Sequence, residues 1–303
     1  MKMLSKTLVL WTLALQAMAE PTSIKEVARS RNPEPGRLST LVVSEREEWE
    51  RRFIYLSAEF PNVPGLTCDL WCYESDGIEF KSAKATDAGG IEMRHSWEGR
   101  NWEVVSTATP EAGALEFTAR LEPMSGARSS DPENYPGLNV CWQLRNAPSF
   151  ASKPDPYPEF VKRCFIFTAK GRKFLHEIGR RPIPVQATTS EYNNPPWVQM
   201  YAHISAGEVH AGSNSWADYS PDPFLLPLIG AVSRDRMDLA AMATGSVSTL
   251  SQAWHDCMHN NPDWLPAKDG KGKEWRFRIY AMRNDESALL RRFRTDFPEY
   301  RLN

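Results

Sequence analysis

Apolar and polar residues alternate along much of the chain, and this pattern predicts half-buried antiparallel strands. The alternation is clearest over 115–122, 138–145 and 275–282. Further strands are predicted near 38–44, 52–57, 78–84, 91–97, 102–108, 163–168, 228–233, 239–244 and 246–254. Helical periodicity is clear only over 285–296. These elements predict an all-β fold, a large antiparallel β-sandwich (supersandwich-like) with a short C-terminal helix.

The first residues of the chain have the pattern of a secretory signal peptide. Lys2 and Lys6 precede an apolar run over 8–15, and an Ala-x-Ala ending follows at 17–19. These are the three parts that define such a leader. We therefore predict a signal peptide over 1–19, removed before Glu20, and a secreted or periplasmic protein. No later stretch approaches the ~20 apolar residues that a membrane-spanning helix needs.

The rest of the chain divides into two unequal parts. Residues 20–37 are polar and rich in Pro, so we predict a lead-in arm or linker. Residues 38–303 are predicted to form a single β-sandwich domain. Two segments, 123–137 and 205–227, interrupt the alternation and are rich in Pro, Gly, Ser and Asn. Uninterrupted loops of that length are usually functional or disordered.

The stretch 196–204 is the most informative for function. As a strand it has one apolar face, made of Val198, Met200, Ala202 and Ile204. Its other face carries Trp197, Gln199, Tyr201 and His203. An aromatic ring beside an amide, a phenol and an imidazole suits a sugar, which offers apolar C–H faces and hydroxyls. The alternative is that this second face packs under a loop or a second sheet.

A second polar cluster surrounds His255-Asp-Cys-Met-His259. Two His four residues apart share one helix face, as in zinc sites, but the Glu of the metalloprotease motif is missing. The following Asn-Asn-Pro and the alternation before Trp254 favour a strand running into a loop, with His255 near the rim and His259 on the loop. A metal site made by His255, His259 and either Asp256 or His203 remains an alternative, as do structural histidines.

Composition and cysteine spacing narrow the function classes. The formal net charge of -2 argues against a nucleic-acid binder or a basic membrane-surface protein. The chain has eleven Trp residues, which is many for its length. Abundant Trp is common in proteins that handle polysaccharides. A bridge between Cys68 and Cys72 would need a turn or helix there. No Cys-x-x-Cys pair occurs, so we expect no cysteine zinc site. We expect no metal and no other cofactor.

The available side chains favour β-elimination from a uronate-containing polysaccharide over hydrolysis. Hydrolysis needs two facing carboxylates, and no spacing identifies such a pair. Elimination needs an acid and a base, and Tyr and His can serve as both. We predict Tyr201, His203 and His255 as the catalytic residues. The predicted substrate-binding residues are Trp197, Gln199, Asn193, Trp216, His259 and Arg234.

The chain resembles the galactose-mutarotase-like large β-sandwich proteins of secreted bacterial polysaccharide-degrading systems. The resemblance lies in the strand at 196–204, the segment 255–262 and the strand-then-helix ending at 275–297. It implies a carbohydrate-active protein, with a polysaccharide lyase favoured. The alternatives are a glycoside hydrolase or sugar epimerase on the same scaffold, and a non-catalytic glycan-binding envelope protein. A polysaccharide or oligosaccharide is the expected partner, with no nucleic acid and no membrane span.

Overall fold

The computed structural model confirms the predicted all-β sandwich. It describes residues 23–31, 40–48, 51–73, 77–97, 99–124, 132, 134–144, 147–150, 157–178, 198–206, 217–253 and 257–300. Within these ranges two large sheets pack face to face. The alternation seen in the sequence has this origin, because each strand turns one side chain in two toward the space between the sheets.

The first sheet has nine strands in the described part of the chain. They are β1 (Ser23–Arg31), β2 (Thr40–Glu48), β3 (Arg51–Phe60), β4 (Leu66–Cys72), β9 (Val140–Gln143), β12 (Val198–Ala202), β13 (Ala217–Tyr219), β16 (Thr249–Ala253) and β17 (Cys257–Asn260). Their order is β1-β2-β3-β4-β9-β17-β16-β12-β13. All neighbours are antiparallel except β12 and β13, which are parallel.

The second sheet has ten strands in the same described ranges. They are β5 (Ile78–Ala85), β6 (Ile91–Trp97), β7 (Trp102–Glu111), β8 (Ala114–Pro123), β10 (Cys164–Thr168), β11 (Gly171–Phe174), β14 (Phe224–Val232), β15 (Asp238–Thr244), β18 (Leu265–Pro266) and β19 (Lys273–Arg283). Nine of them run in the order β11-β10-β14-β15-β19-β8-β7-β6-β5. The two-residue strand β18 pairs with β19 off this path.

In the described part of the chain the helices are short. They are α1 (Tyr157–Val161), α2 (Leu175–Ile178), α3 (Glu286–Asp296) and a 3-10 turn at Ile204–Ala206. The predicted C-terminal helix is α3, whose Asp285 side chain accepts a hydrogen bond from the backbone N–H of Ala288 and so caps the first turn. Its Leu289 and Phe293 cover the outer face of the ten-stranded sheet. Within the described ranges, no helix has the length and apolar character needed to cross a membrane.

The main core fills the space between the sheets. Its largest fully buried side chains include Trp142 from the nine-stranded sheet and Trp275, Phe117 and Phe277 from the ten-stranded sheet. The Phe117 and Phe277 rings stack with centroids 4.9 Å apart. Burying each such ring stabilises the fold by about 1.5–3 kcal/mol. Side chains on the inner faces of the two sheets therefore form the core.

Three segments differ from the sequence prediction. Strand β1 lies inside the predicted lead-in arm, and its mostly exposed residues at the edge of the sheet explain the weak alternation there. Strand β13 lies inside the predicted loop 205–227. Strand β17 includes His259, which the sequence pattern predicts on a loop. Strands β13 and β17 have four residues or fewer, too few for alternation to be recognised.

Candidate functional site on the outer face of the nine-stranded sheet

The predicted orientation of β12 is wrong. Tyr201 has 0% exposure and packs in the core between the sheets, opposite Leu250 of β16. Gln199 lies on the same inner face with 2% exposure, whereas Met200 points outward and packs against Cys141 and Cys257. Alternation separates the two faces of a strand but does not say which is inward. The aromatic face is the packed one, which was the alternative interpretation.

Burial also argues against Tyr201 as a catalyst. Desolvation raises the pKa of its phenol well above the usual value, with a further contribution from the nearby Cys164. The group therefore stays protonated and is a poor base. Its hydroxyl has no hydrogen-bond partner among the described residues, and it has no surface with which to contact a polysaccharide.

His203 has a structural set of contacts. Its Nε2 lies 2.9 Å from Tyr300 Oη, and its Nδ1 accepts a hydrogen bond from the backbone N–H of Ser205. The ring also packs edge-on against Phe224, with centroids 5.1 Å apart. The Nε2 contact and the ring thus join the end of β12 to the C-terminal segment and the ten-stranded sheet, whereas the Nδ1 contact is local.

His259 lies on the opposite face of the sheet from Tyr201. Its neighbour Asn260 points inward, where it donates hydrogen bonds to the carbonyl groups of Pro227 and Met242. Successive residues of a strand alternate faces, so His259 points outward. Tyr201 and His259, which the sequence prediction assigns to one site, therefore lie on opposite faces of the sheet.

The other predicted site residues cannot be placed together. Trp197, Asn193, Trp216 and His255 lie outside the described residues, so their roles stay predictions. Arg234 is exposed in the turn between β14 and β15, on the ten-stranded sheet.

A different group of side chains converges on the outer face, where β9 and β17 lie side by side. Gln143 is the register partner of Cys257, and continuing that antiparallel register brings Cys141 opposite His259. These four side chains form a two-by-two block on adjacent strands. Three members of the block, Cys141, Gln143 and Cys257, are buried. His259 is partly exposed, so it is the member of the block that contacts solvent.

Short contacts link the members of this block. Cys257 Sγ lies 3.0 Å from His259 Nε2, and His259 Nδ1 lies 3.1 Å from Asn139 Oδ1. The Nε2 amide of Gln143 donates to Cys141 Sγ over 3.3 Å. The ligand atoms of Cys141, Cys257 and His259 all lie within 4.8 Å of one another. Two chemistries use such an arrangement: nucleophilic attack by a thiol next to an imidazole, and coordination of a metal ion.

Aromatic and charged side chains continue this face across β4 and β3. Trp71 is the register partner of Cys141 and is partly exposed. The Phe53 ring meets the Trp71 ring edge-on with centroids 4.6 Å apart. The Arg51 guanidinium, which is exposed, lies 5.6 Å from the Phe53 centroid. An exposed cation and a partly exposed indole therefore lie on either side of the Phe53 ring.

A buried ion pair lies next to these aromatic rings. Arg46 stacks on Tyr55 at 4.2 Å, and its NH2 nitrogen lies 3.1 Å from Asp69 Oδ1. Ser57 also donates to Asp69. Side-chain exposures of 12% and 2% for Arg46 and Asp69 keep this pair away from bulk water.

Sequence reasoning missed the cysteine block although its signal was present. Asn139, Cys141 and Gln143 occupy alternate positions of one predicted strand, and Cys257 and His259 are two apart. Spacing of two puts residues on one face of a strand, as spacing of four does on a helix. The sequence prediction uses the spacing of four between His255 and His259 and does not use the spacing of two between Cys257 and His259.

Comparisons with known proteins add no family to these observations. No family model matches the chain, and no curated protein matches it. The resemblance to galactose-mutarotase-like proteins therefore stays a prediction, and functional interpretation depends on the geometry alone.

Proposed function

We propose that this protein is an exported carbohydrate-active protein that binds a uronate-containing polysaccharide on the outer face of the nine-stranded sheet. The observation that carries the proposal is the exposed Arg51 guanidinium against the Phe53 ring, whose other neighbour is the Trp71 indole. Export is supported by the leader pattern at 1–19. The site replaces the Tyr201 face of β12, which is packed in the core.

The chemistry of this surface matches an acidic sugar. An indole offers an apolar platform for the C–H face of a sugar ring. A guanidinium binds a carboxylate through two parallel hydrogen bonds. The Phe53 ring lies between the two groups, so both can contact the same stretch of a polysaccharide chain. A row of side chains crosses five adjacent strands and is about 19 Å long, at ~4.8 Å per strand. It consists of Trp71, Cys141, His259, Ser251 and Met200.

Elimination remains the favoured reaction over hydrolysis. Arg46 is bound to Asp69, the carboxylate beside this aromatic cluster, so Asp69 is poorly suited to be half of a hydrolase pair. A cation on the uronate carboxylate also stabilises the enolate that forms in elimination. Tyr201 is buried and His203 is engaged with Tyr300 and Ser205, so His255 is the one predicted catalytic residue kept as the base that takes the proton and returns it to the leaving oxygen.

Binding should be tested with a uronate polysaccharide and the same polymer after chemical reduction of its carboxyl groups. The wild type should bind the first and lose affinity for the second. Trp71→Ala and Arg51→Gln should each weaken binding about 10- to 100-fold. The matched controls are Trp97→Ala and Arg100→Gln, a similar pair on β6 and the adjoining turn, where the guanidinium lies 5.4 Å from the ring. Equal loss in both pairs, or no binding, would reject the proposed face.

The reaction and the export have separate tests. Elimination produces an unsaturated sugar that absorbs ultraviolet light, whereas hydrolysis produces reducing ends without that absorbance. Reducing ends alone would favour the hydrolase, and binding without turnover would favour a glycan-binding protein. N-terminal sequencing of the mature protein should give Glu20 first, and intact Met1 in the cytoplasm would contradict export.

A further inference from the structure

We propose that Cys141, Cys257 and His259 form a metal site for a thiophilic ion, with Zn²⁺ as the ion of choice. The site lies on the outer face of the nine-stranded sheet, and the three ligands come from the neighbouring strands β9 and β17. Two thiolates and one imidazole make a donor set that soft and borderline metals prefer. Cys141 and His259 also belong to the row proposed to face the polysaccharide, but metal binding is measured without any sugar, so the failure of one proposal is distinguishable from the failure of the other.

The separations of the ligand atoms are close to those of a zinc site. Zinc–sulfur and zinc–nitrogen bonds of about 2.0–2.3 Å in a tetrahedron put ligand atoms about 3.5–3.8 Å apart. The three ligand atoms here lie within 4.8 Å of one another, and Cys257 Sγ is 3.0 Å from His259 Nε2. Shifts of about 1 Å, within the reach of side-chain rotation, would complete the geometry. Three protein ligands are also the number found in catalytic zinc sites.

The neighbouring amides suit a metal site. A histidine ligand usually has its second ring nitrogen bound to a carbonyl or carboxylate, which fixes the ring and its tautomer. Asn139 Oδ1 lies 3.1 Å from His259 Nδ1 and can accept a hydrogen bond from its N–H, which leaves the Nε2 lone pair directed at the thiols. Gln143 donates an N–H to Cys141 Sγ, a contact that stabilises a thiolate. Asn139 and Gln143 are therefore positioning residues.

The metal site explains more of the block than a nucleophile does. A thiol nucleophile would use Cys257, His259 and Asn139, in the roles that thiol, imidazole and amide have in cysteine hydrolases, and would leave Cys141 without a role. Cys257 is also only 2% exposed, which restricts attack on a large substrate. A disulfide would leave His259 unexplained, and neither Cys141 nor Cys257 forms one.

Binding exchanges protons for the metal. Zn²⁺ binds the two cysteines as thiolates and the histidine as the neutral imidazole, so the two thiol protons pass to solvent. The thiolate charges then cancel the charge of the ion, which allows the complex to remain in a largely buried place. Zinc affinity should consequently fall as the pH is lowered.

The experiment measures zinc on the reduced, purified protein by elemental analysis and by competition with a chelator. We expect one zinc per chain. Cys141→Ser, Cys257→Ser and His259→Ala should each lower the affinity by more than 100-fold, and Asn139→Ala by about 10- to 100-fold. The matched control is Cys72→Ala, a buried cysteine on the inner face of β4, which should leave the affinity unchanged.

A second readout guards against loss of affinity through misfolding. Co²⁺ in place of Zn²⁺ should give the near-ultraviolet charge-transfer absorption of cobalt–thiolate bonds, weakened in each cysteine variant that retains the wild-type circular dichroism. Absence of stoichiometric zinc, or zinc retained by all three ligand variants, would overturn the proposal. Absence of zinc together with His259-dependent alkylation of Cys257 would indicate the nucleophile instead.

Discussion

His203 Nε2 lies 2.9 Å from Tyr300 Oη, so the end of β12 is joined to a residue 97 positions further along the chain. Tyr300 in turn donates to the carbonyl of Leu225 at the start of β14. Burial raises the pKa of Tyr300, so its hydroxyl keeps the proton that it donates. The pair connects the nine-stranded sheet, the ten-stranded sheet and the C-terminal segment. We therefore expect His203 to contribute to the stability of the fold.

Replacing His203 with Ala should lower the free energy of unfolding by about 1–3 kcal/mol, because Tyr300 loses a hydrogen-bonded neighbour. In a double-mutant cycle with Tyr300→Phe, urea unfolding should give a coupling energy of about 0.5–3 kcal/mol. His176→Ala, an exposed position, is the control. A variant that unfolds like the wild type but loses polysaccharide turnover would return His203 to the catalytic site.

Tyr201→Phe should leave polysaccharide binding unchanged and should keep or increase stability by up to about 1–2 kcal/mol. The substitution removes a buried hydroxyl that has no hydrogen-bond partner among the described residues, and it preserves the ring that packs in the core. Urea unfolding and a binding assay check the two halves. A clear loss of binding in a stably folded variant would contradict the core assignment of Tyr201.

The sequence predicts the fold class far better than the site, and β12 shows why. Periodicity is a local property, so alternation reveals the strands and the helical period over 285–296 reveals the C-terminal helix. Which face of β12 is inward depends on the sheets that cover both sides. Met200 and Tyr201 exchange their expected environments for that reason.

The cysteine block could not be predicted as a whole because it depends on which strands are neighbours in the sheet. Cys141 and Cys257 are 116 positions apart in the chain and become neighbours only because β17 pairs with β9. Strand order in a sheet follows from long-range pairing, which single-sequence patterns do not encode. The pairs within each strand, Cys257 with His259 and Cys141 with Gln143, were the part that the sequence could have supplied.

Gly230→Ala should destabilise the protein by about 1–3 kcal/mol through overpacking. A Cβ atom at this position in β14 would lie 2.6 Å from the Ala240 carbonyl oxygen and 2.8 Å from Phe165 Cζ. The control is Gly137→Ala, where a Cβ would meet nothing within 4 Å. Urea unfolding of both variants provides the measurement. Equal stabilities would show that β14 and β15 can separate more easily than their packing indicates.

His95 should make the protein less stable in mild acid, and His95→Leu should remove that effect. The ring is 2% exposed and lies among Tyr73 and Phe80, with no hydrogen-bond partner for either nitrogen among the described residues. Burial lowers its pKa from 6.5 to about 3. The unfolded chain therefore takes up the proton first, and stability is lost as the pH falls from 6.5 toward 3. Each pH unit lowers the free energy of unfolding by about 1.4 kcal/mol, so the loss at pH 5 is about 2 kcal/mol.

Urea unfolding of both proteins at pH 8 and pH 5 tests this, with pH 8 as the internal control. Parallel losses of stability in both proteins would show that His95 is not the group responsible.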